Sequence, residues 1–573
     1  MKKISIIKRL TNKITVIGYC LLVIGITMSC NDFLDIKPMN EVVLENYWKQ
    51  KSDFVSVINS CYESLESEDA MNRMLVWGEL RSDNLKEGGN IQNDLREILK
   101  ESLLPSNPYC NWSVFYQCIN RCNTVCRYAP DVQAIDPNYT EDEMNAHIAE
   151  ATTLRALAYF YLIRTFRDVP YTTEPSIDDT QNYILPATPF EQVLDTLIVD
   201  LESVKEAAVR RYYVDESPNA YHNSARITRW AVYALLADLY LWKGNWDKSI
   251  ECCDKVIAYK QQQYKEMVDR EGNVNNIDLF NGIPMILEKP VGSTNCGNAY
   301  NEIFGTGNSF ESIFELVFRS PQSVKNNMVS NYFGNERTPN GRLNATDILF
   351  KEVATGSNNL FKRTDGRAYE AGELSGSRYL VTKYVRTNVS YKTTPTPSTE
   401  RDLALTQTRH NENDAYANWI IYRLSDMLLI KAEALIERGQ TGDLDAAFEL
   451  IDDVNCRAND AVNGSRSSTL KKADYIDSKS AMENLVIEER QREFLFEGKR
   501  WYDLVRVSRR DGDNTRLINL VSRKYLENVN ALKIKLADPN IIYFPYSKNE
   551  LKVNPLLKQN PAFTNSDDNE LNR

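Results

Sequence analysis

A helix–turn–helix pattern between Thr228 and Ile257 constrains the fold of this chain more than any other feature of its sequence. Apolar residues recur at steps of three and four on both sides of the turn signal Gly244-Asn245. The first half repeats a small residue every third position from Ala231 to Ala237, which lets two helices approach closely. The segment therefore predicts an antiparallel pair of amphipathic helices.

A second pattern of this kind runs from Trp419 to Arg457, with Gly439 at its turn. Both hairpins resemble tetratricopeptide repeat units, which become stable when several of them stack side by side. Because the two are far apart in the sequence, they indicate one helical-repeat scaffold that is interrupted by an insertion. We therefore expect a mainly α fold, with the scaffold over about residues 41–260 and 416–573.

The interruption covers about residues 262–415 and is rich in Asn, Gly, Thr and Pro. It contains short β-like runs, at Ser312 to Phe318 and at Tyr379 to Val385. Loops carried on a rigid scaffold are where binding sites usually lie. We therefore expect residues 41–573 to form a single domain, whose loop-rich insertion carries short strands and binds the ligand.

The N-terminus has the pattern of an export signal. Basic residues between Lys2 and Lys13 precede an uncharged stretch, Ile14 to Ser29, that is short for a membrane span. The stretch ends at Cys30, in a small-residue box typical of bacterial lipoproteins, although Thr27 stands where leucine is commonest. The sequence predicts a signal peptide over residues 1–29 and a lipidated Cys30 with a tether over residues 30–40. Acyl chains on one cysteine hold a protein firmly to a membrane.

Charge and composition exclude several classes of function. Removal of residues 1–29 takes away five basic and no acidic residues, so the formal charge falls from −11 to about −16. An acidic exported protein is a poor candidate for binding nucleic acid. The whole chain has three His, which argues against catalytic zinc and histidine triads. Three cysteines, Cys118, Cys122 and Cys126, share one helix face, and we favour core packing for them over a metal. No metal or cofactor is expected.

A stripe of carboxylates near the C-terminus has two interpretations. Glu489, Glu493 and Glu497 fall on one helical face with Arg500. A glycosidase needs two carboxylates at a fixed separation, and such a stripe could supply them. We favour ion pairs that join helix to helix, because the stripe alternates with apolar residues. Their expected partners lie on the preceding hairpin and are Arg423, Asp426 and Glu433.

Several separated segments together resemble the SusD/RagB outer-membrane lipoproteins of Bacteroidota. The matching segments occur in the expected order and span nearly the whole chain: Cys30 to Pro38, Tyr47-Trp48, Gly78 to Asn84, Trp112 to Asn123, Glu150 to Pro170, Thr228 to Ile257, Tyr422 to Leu435, Glu488 to Arg506 and Tyr543 to Phe563. Two positions depart from the pattern. Arg167 stands where many members have glycine, and Tyr546 stands where isoleucine is usual.

The resemblance implies a non-catalytic, surface-exposed lipoprotein of the outer membrane. Members of the family sit over a SusC-like TonB-dependent transporter, capture oligosaccharides, or peptides in the RagB type, and hand them over for import. The resemblance also implies four tetratricopeptide-like helix pairs with an irregular, loop-rich ligand face, which agrees with the pattern of hairpins and insertion.

Candidate ligand-binding residues come from a polar cluster and from the loops. Arg81, Asp83 and Asn84 offer donors and acceptors that suit sugar hydroxyls, although Asp83 could instead cap a turn and Arg81 could pair internally. Sugar sites also use flat aromatic surfaces. The loop candidates are Tyr109, Tyr300, Tyr332, Tyr369 and Arg367, although any one tyrosine of 31 could be ordinary core or surface.

Two alternatives to glycan capture stay open at this point, besides a peptide ligand. A surface glycosidase would lose turnover without unfolding when Glu493 or Glu497 is replaced by Gln. A repeat scaffold that binds only protein would use a helical groove as its functional surface. The long insertion is unnecessary for that second role.

Overall fold

The computed structural model describes residues 47–177, 181, 183–214, 217–272, 274–287, 298–318, 325–350, 360–361, 365–391, 405–411, 416–463 and 470–564. The predicted signal peptide, Cys30 and the tether lie outside the described residues. Among those described, no helix is both long and apolar enough to cross a bilayer.

Helices dominate both ends of the chain, as expected for a mainly α fold. In chain order they are α1 (Lys51–Glu66), α2 (Glu68–Leu75), α3 (Asn93–Leu99), α4 (Ser113–Gln133), α5 (Glu141–Phe166), α6 (Phe190–Val204), α7 (His222–Ala225), α8 (Arg229–Lys243), α9 (Trp246–Glu271), α10 (Asn298–Tyr300), α11 (Asn327–Tyr332), α12 (Asp347–Phe350), α13 (Gly366–Ala371), α14 (Leu424–Arg438), α15 (Asp443–Asn463), α16 (Lys479–Glu493), α17 (Arg500–Asp511), α18 (Thr515–Val521), α19 (Val529–Leu536) and α20 (Lys548–Val553). Short π-helices follow α2, at Val76–Leu80, and α10, at Asn301–Thr306.

The strands are short and all pair antiparallel. They are β1 (Leu85–Glu87), β2 (Val169–Pro170), β3 (Ala187–Thr188), β4 (Ile277–Phe280), β5 (Ile283–Ile286), β6 (Ser312–Leu316), β7 (Leu343–Ala345), β8 (Gly372–Ser375), β9 (Arg378–Val381), β10 (Arg386–Tyr391), β11 (Leu405–Arg409) and β12 (Trp419–Arg423). Four of them form a sheet in the order β1-β7-β9-β8, and the others pair as β2-β3, β4-β5, β6-β12 and β10-β11. The runs predicted at Ser312 and at Tyr379 correspond to β6 and β9.

Both predicted helix hairpins are confirmed. Gly244, with φ +77°, ends α8, and Gly439, with φ +65°, ends α14, so each turn uses a left-handed conformation that glycine adopts without steric cost. Two boundaries differ from expectation. Helix α9 continues to Glu271, about three turns beyond the predicted end of the first scaffold segment. Residues from Trp419 to Arg423 form strand β12 and precede the helix of the second hairpin.

The scaffold is a continuous series of packed helices. Helix α1 packs on α4, α4 on α5, α5 on α6, α6 on α8, and α8 on α9. Helix α9 then packs on α14, and α14 packs on both α15 and α16. The two predicted hairpins are therefore neighbours in space, and the intervening segment leaves and re-enters one scaffold.

Two glycines, Gly78 and Gly498, belong to segments that resemble the family pattern, and they meet in the core. A Cβ atom on Gly78 would lie 1.8 Å from the carbonyl oxygen of Gly498, so the two backbones come this close only because residue 78 has no side chain. Gly498 has φ +70° and also lies beside the buried ring of Trp419. This contact places the segment before β1 directly against the turn between α16 and α17.

The two departures from the family pattern lie together. Arg167 ends α5 with φ +70° and ψ −76°, and the amide of Asp168 donates to the carbonyl of Phe166 across it at 3.0 Å. This is the γ-turn with positive φ, which is strained for a residue with a side chain. The hydroxyl of Tyr546 donates to the carbonyl of Asp168 at 2.7 Å, so the unusual tyrosine contacts the unusual turn.

We expect Arg167→Gly to be more stable than Arg167→Ala by about 1 kcal/mol in chemical unfolding. Both variants lose the guanidinium, and glycine alone relieves the positive-φ strain, which exceeds the extra entropy glycine has when unfolded. At the exposed helical position Lys255 the order should reverse, because glycine is there the poorer residue by a similar amount. Equal stability of the two Arg167 variants would contradict the assignment of strain.

Candidate functional site

The carboxylate stripe of α16 forms the centre of a buried ion network. Glu493 is 2% exposed and accepts hydrogen bonds from the guanidinium groups of Arg367, Arg423 and Arg457. Glu497 accepts from Lys383 at 2.7 Å and from Arg423 at 2.9 Å. The predicted ion pairing between these carboxylates and Arg423 is therefore confirmed. The single helical face is wrong, because α16 ends at Glu493, Glu497 lies in the turn that follows and Arg500 begins α17.

The network continues along α17. The Asp426 carboxylate accepts from Lys499 at 2.7 Å, and Glu433 accepts two bonds from Arg506, at 2.5 and 3.0 Å. Asp503 accepts from the guanidinium groups on both sides of it, those of Arg490 and Arg506. Asp426 and Glu433 thus act within the scaffold, as their sequence pattern indicates.

The electrostatics of this network favour fixed charges. The neighbouring cations hold the pKa of Glu493 well below its ordinary range, and those of Glu497 and Asp503 are lowered to about 2 despite burial. A glycosidase needs one carboxyl group that is protonated near neutral pH. Burial raises the pKa of nearby Glu79 to about 7. However, Glu79 is 0% exposed, and its carboxyl group accepts hydrogen bonds from Asn84 and from the backbone amide of Phe496 inside the core. The stripe therefore lacks a solvent-accessible acid.

The polar cluster after the first π-helix is also internal. Arg81 pairs with Glu101 at 2.6 Å and donates to two carbonyls at Ile541 and Ile542. Its guanidinium lies 4.4 Å from the ring centroid of Trp501. Arg81 therefore pairs internally, which is the alternative that the sequence left open. The role of Arg81 in ligand binding stays a prediction, and in this conformation the side chain is 2% exposed.

Asp83 and Asn84 join the same interior. Asp83 accepts from Arg500 at 2.9 Å and 3.1 Å. Asn84 donates to Glu79 at 2.6 Å and accepts from Gln491 at 2.7 Å. The bonds to Arg500 and Gln491 link residues more than 400 positions apart and hold the start of β1 against α16 and α17. Their exposed fractions of 1% and 0% leave no open polar atom for a sugar.

The predicted loop residues divide into two groups. The hydroxyls of Tyr109 and Tyr332 contact each other, so these two, 223 residues apart, are brought together. Tyr300 is 2% exposed and its hydroxyl donates to backbone carbonyls of Thr382 and Arg386. Arg367 belongs to the ion network, and half-buried Tyr369 follows it on α13. The structure therefore does not gather the eight predicted residues into one open site.

A polar surface lies above the Tyr109–Tyr332 contact, where α2 meets α11 and the loop before β7. We call it the amide rim and define it by Glu68, Asn72, Asn327, Ser330, Asn331, Asn340 and Arg342. The Glu68 carboxylate accepts from the side-chain amides of Asn327 and Asn331, each at 3.1 Å. The backbone amide of Arg342 donates a hydrogen bond to the carbonyl oxygen of Asn331. The guanidinium of Arg342 lies 5.8 Å from the ring centroid of Tyr332. All the rim side chains are exposed or half-buried.

Several polar atoms at and beneath the amide rim are buried without a hydrogen-bond partner among the described residues. Within the described part of the chain, the side-chain oxygens of Asn72, Ser330 and Asn340 have no partner. Asn344, on the adjacent strand β7 and 1% exposed, has none for either polar atom of its side chain. Buried polar atoms normally have a partner, so these atoms are an unusual feature of the region.

The polar groups that a ligand can reach belong to exposed Glu68 and Asn327 and to half-buried Asn331 and Arg342, and they make the rim a candidate binding surface. No candidate residue predicted from the sequence lies in this rim, and the one sequence pattern that points to it is the spacing of four between Asn327 and Asn331.

The cysteines behave as core residues. Cys118 and Cys122 are 0% exposed in α4, and the thiol of Cys118 faces the backbone of Cys61 on α1. Burial raises the pKa of the Cys122 thiol well above its usual range, so it stays protonated. Across the residues that the structure describes, no group of three or more His, Cys, Asp or Glu side chains is arranged to hold a metal ion.

Comparison with protein families identifies the chain. The family model described as "SusD family" matches residues 311–563, and the model described as "Starch-binding associating with outer membrane" matches residues 32–241. The chain belongs to the SusD/RagB family. Glu68 and Asn72 of the amide rim lie in the N-terminal match, and its other residues lie in the C-terminal match. Residues 242–310 lie in neither, so this SusD/RagB protein has a central segment outside both models.

Relatives cover nearly the whole SusD/RagB chain. "SusD-like protein P38" of Formosa agariphila is 25% identical over 503 residues, which are 85% of this chain and 90% of the relative. A SusD superfamily protein of Bacteroides vulgatus has a structure with a TM-score of 0.62 at 19% identity, covering 90% of this chain and 100% of that one. A laminarin binding SusD-like protein gives 0.59 at 19% identity, with coverage of 90% and 100%. At these identities the structures show a shared fold.

The ion network predicts a specific acid sensitivity. Because the folded-state pKa of Glu497 is lowered from 4.5 to about 2, its ionisation contributes stability that is complete above pH 4.5 and is lost as the pH falls towards 2. We expect Glu497→Gln to lower the free energy of unfolding by about 3 kcal/mol at pH 7 and to flatten its decline over that interval. Denaturant titrations from pH 7 to pH 2 measure both effects.

The matched control is Glu488→Gln, which removes an exposed carboxylate from α16, nine residues before Glu497. Its free energy of unfolding should stay within about 0.5 kcal/mol of the unmodified protein, because exposed ion pairs contribute little. If the two variants behave alike, the network does not hold the fold together.

Proposed function

We propose that this protein is a lipoprotein on the outer surface of the outer membrane. It binds a glycan without cleaving it and passes it to a SusC-like TonB-dependent transporter. Three observations support the proposal: a family model described as starch-binding and associated with the outer membrane, a structural neighbour described as laminarin binding, and the lipoprotein-like sequence ending at Cys30.

The amide rim is the observation that carries the proposal. Side-chain amides present a planar donor and acceptor together, which suits the paired hydroxyl groups of a sugar ring. A carboxylate at Glu68 and a guanidinium at Arg342 add an acceptor and donors at its two ends. Such a surface recognises a neutral polyhydroxy ligand through many individually weak bonds, which permits release to a transporter.

The predicted site residues take supporting positions in this proposal. Tyr109 and Tyr332 hold the floor of the rim. Arg81, Asp83 and Asn84 fix the strand β1 that pairs with β7 beside it. Three more predicted residues, Tyr300, Arg367 and Tyr369, hold the insertion against the ion network. We propose that these eight residues position the ligand surface, while the rim side chains touch the ligand.

We expect the double variant Asn327→Ala/Asn331→Ala to bind glycan about tenfold more weakly or worse. Each lost hydrogen bond is worth about 0.5 to 1.5 kcal/mol, and about 1.4 kcal/mol is tenfold in affinity. Calorimetric titration of residues 31–573 with laminarin and starch oligosaccharides measures the change, and release of reducing ends is assayed in the same mixtures. The matched control is Asn219→Ala/Asn530→Ala, which removes two exposed amides elsewhere.

Each result assigns the protein differently. Unchanged affinity in the rim variant would move the ligand site elsewhere, and release of reducing ends by the unmodified protein would refute the non-catalytic role. Binding of peptides in place of glycans would assign the protein to the RagB type.

Replacement of the predicted lipidation site tests the anchor separately. Cys30→Ala should move the protein from the membrane fraction to the soluble fraction, because acyl chains contribute about 0.8 kcal/mol of membrane affinity per buried CH₂ group. Cys126→Ser, which changes a half-buried thiol in α4, should stay in the membrane fraction. Membrane retention of both variants would contradict the lipoprotein assignment.

A further inference from the structure

A second cleft opens between the outer face of the α8–α9 hairpin and the start of the insertion. Its volume is about 390 Å³, within the range of roughly 300 to 1,000 Å³ typical of small-ligand sites. The walls come from α7, α8, α9, β4, the second π-helix and β6. We call it the aromatic cleft. It shares no residue with the amide rim.

One wall of the aromatic cleft is flat and apolar. The rings of Trp230 and Tyr259 stack with centroids 4.1 Å apart and planes 11° apart, and both side chains stay half exposed. The indole nitrogen of Trp230 donates to the carbonyl of Arg210 at 3.0 Å, which fixes the ring. Half-buried Met267 and Phe310 extend this wall. A stacked aromatic pair that lines a cleft offers a platform for the C–H face of a pyranose.

The remaining walls are polar and balanced in charge. The Asn276 amide donates to Glu302, and the Asn308 amide donates to the hydroxyl of Ser224. The one lysine and the one glutamate among the lining residues are both engaged. Lys260 donates to the carbonyls of Phe310 and Ser312, so its charge is met by the backbone. The charged groups of Lys260 and Glu302 therefore have partners within the protein, and the cleft suits an uncharged ligand with several hydroxyl groups.

Two further observations set the cleft apart. Most of its lining residues lie within residues 242–310, the segment that neither family model matches. Part of the wall is the π-helix at Asn301–Thr306, and π-helices are rare and frequent at functional sites.

We propose that the aromatic cleft is a second binding site for a neutral sugar, formed by Trp230 and Tyr259 with the surrounding amides. The inference rests on the proposed function in taking the ligand to be a glycan, and it adds a second site. Tyr259 of this site comes from the central segment, and Trp230 comes from the region that the N-terminal family model matches. Two separate sites let one protein hold an oligosaccharide at two points or hold two chains, which raises the effective concentration at each site.

The test titrates laminarihexaose and maltohexaose against the Asn327→Ala/Asn331→Ala variant, in which the amide rim is disabled. We expect this variant to keep a saturable calorimetric signal and a change in tryptophan fluorescence. Adding Trp230→Ala to it should weaken the remaining binding about tenfold or more and remove the fluorescence change. Gln263→Ala in the same background keeps the aromatic pair and should weaken binding less, so the inference does not depend on one substitution.

The matched control is Trp246→Ala, which removes a half-buried tryptophan from the start of α9, outside the cleft. It should leave the remaining affinity unchanged. A rim variant that binds neither sugar, while the unmodified protein binds one, overturns the second site and leaves the proposed function standing. If the unmodified protein binds neither sugar, both proposals fail. Equal affinity with and without Trp230 places the remaining site elsewhere.

Discussion

The meeting of three arginines on Glu493 is the interaction on which the rest of the structure depends. Arg367 comes from the insertion, Arg423 from the end of β12, and Arg457 from α15, so one carboxylate joins the insertion to two parts of the scaffold. Burying these charges costs several kcal/mol per ion, and the mutual attraction offsets that cost only while every partner is present. The network therefore makes the attachment of the insertion all-or-none: a loose insertion would leave uncompensated charge inside the protein.

Both candidate surfaces are connected to this network through short chains of hydrogen bonds. Arg500, on α17, holds Asp83 just before β1, and β1 pairs with β7 beside the amide rim. On the other side, the carboxylate of Glu311 accepts from Arg457 and from the backbone amide of Ile286, each at 2.8 Å, directly before β6 and the aromatic cleft. Each candidate binding surface therefore includes loop residues, and the segments next to it are held by hydrogen bonds to buried arginines, Arg500 for the amide rim and Arg457 for the aromatic cleft.

Sequence patterns predicted what depends on local spacing and missed what depends on distant pairing. The helix hairpins follow from steps of three and four with a glycine at each turn, and the structure confirms them. The carboxylates do pair with Arg423, but the helical face predicted for them ends at Glu493, where a turn leads to Glu497 and Arg500. Arg81 and Asp83 look like exposed ligand contacts in the sequence, since their partners Glu101 and Arg500 give no local sign of contact. The amide rim escaped notice for the opposite reason: asparagines are common in loops, and only folding brings those of α11 beside Glu68.

Charge and ligand recognition are separated in this protein. The carboxylates of the ion network whose pKa is lowered, Glu493, Glu497 and Asp503, lie in the interior, where salt screens poorly. The candidate binding surfaces rely mainly on amides, hydroxyls and aromatic rings that carry no charge at neutral pH. Glu68 and Arg342 are exceptions, yet the carboxylate of Glu68 contacts two amides and the guanidinium of Arg342 lies beside the ring of Tyr332. Stability and binding therefore respond to different conditions. Acid weakens the fold through Glu493 and Glu497, while binding of a neutral glycan stays nearly independent of salt and of pH as long as the network is ionised.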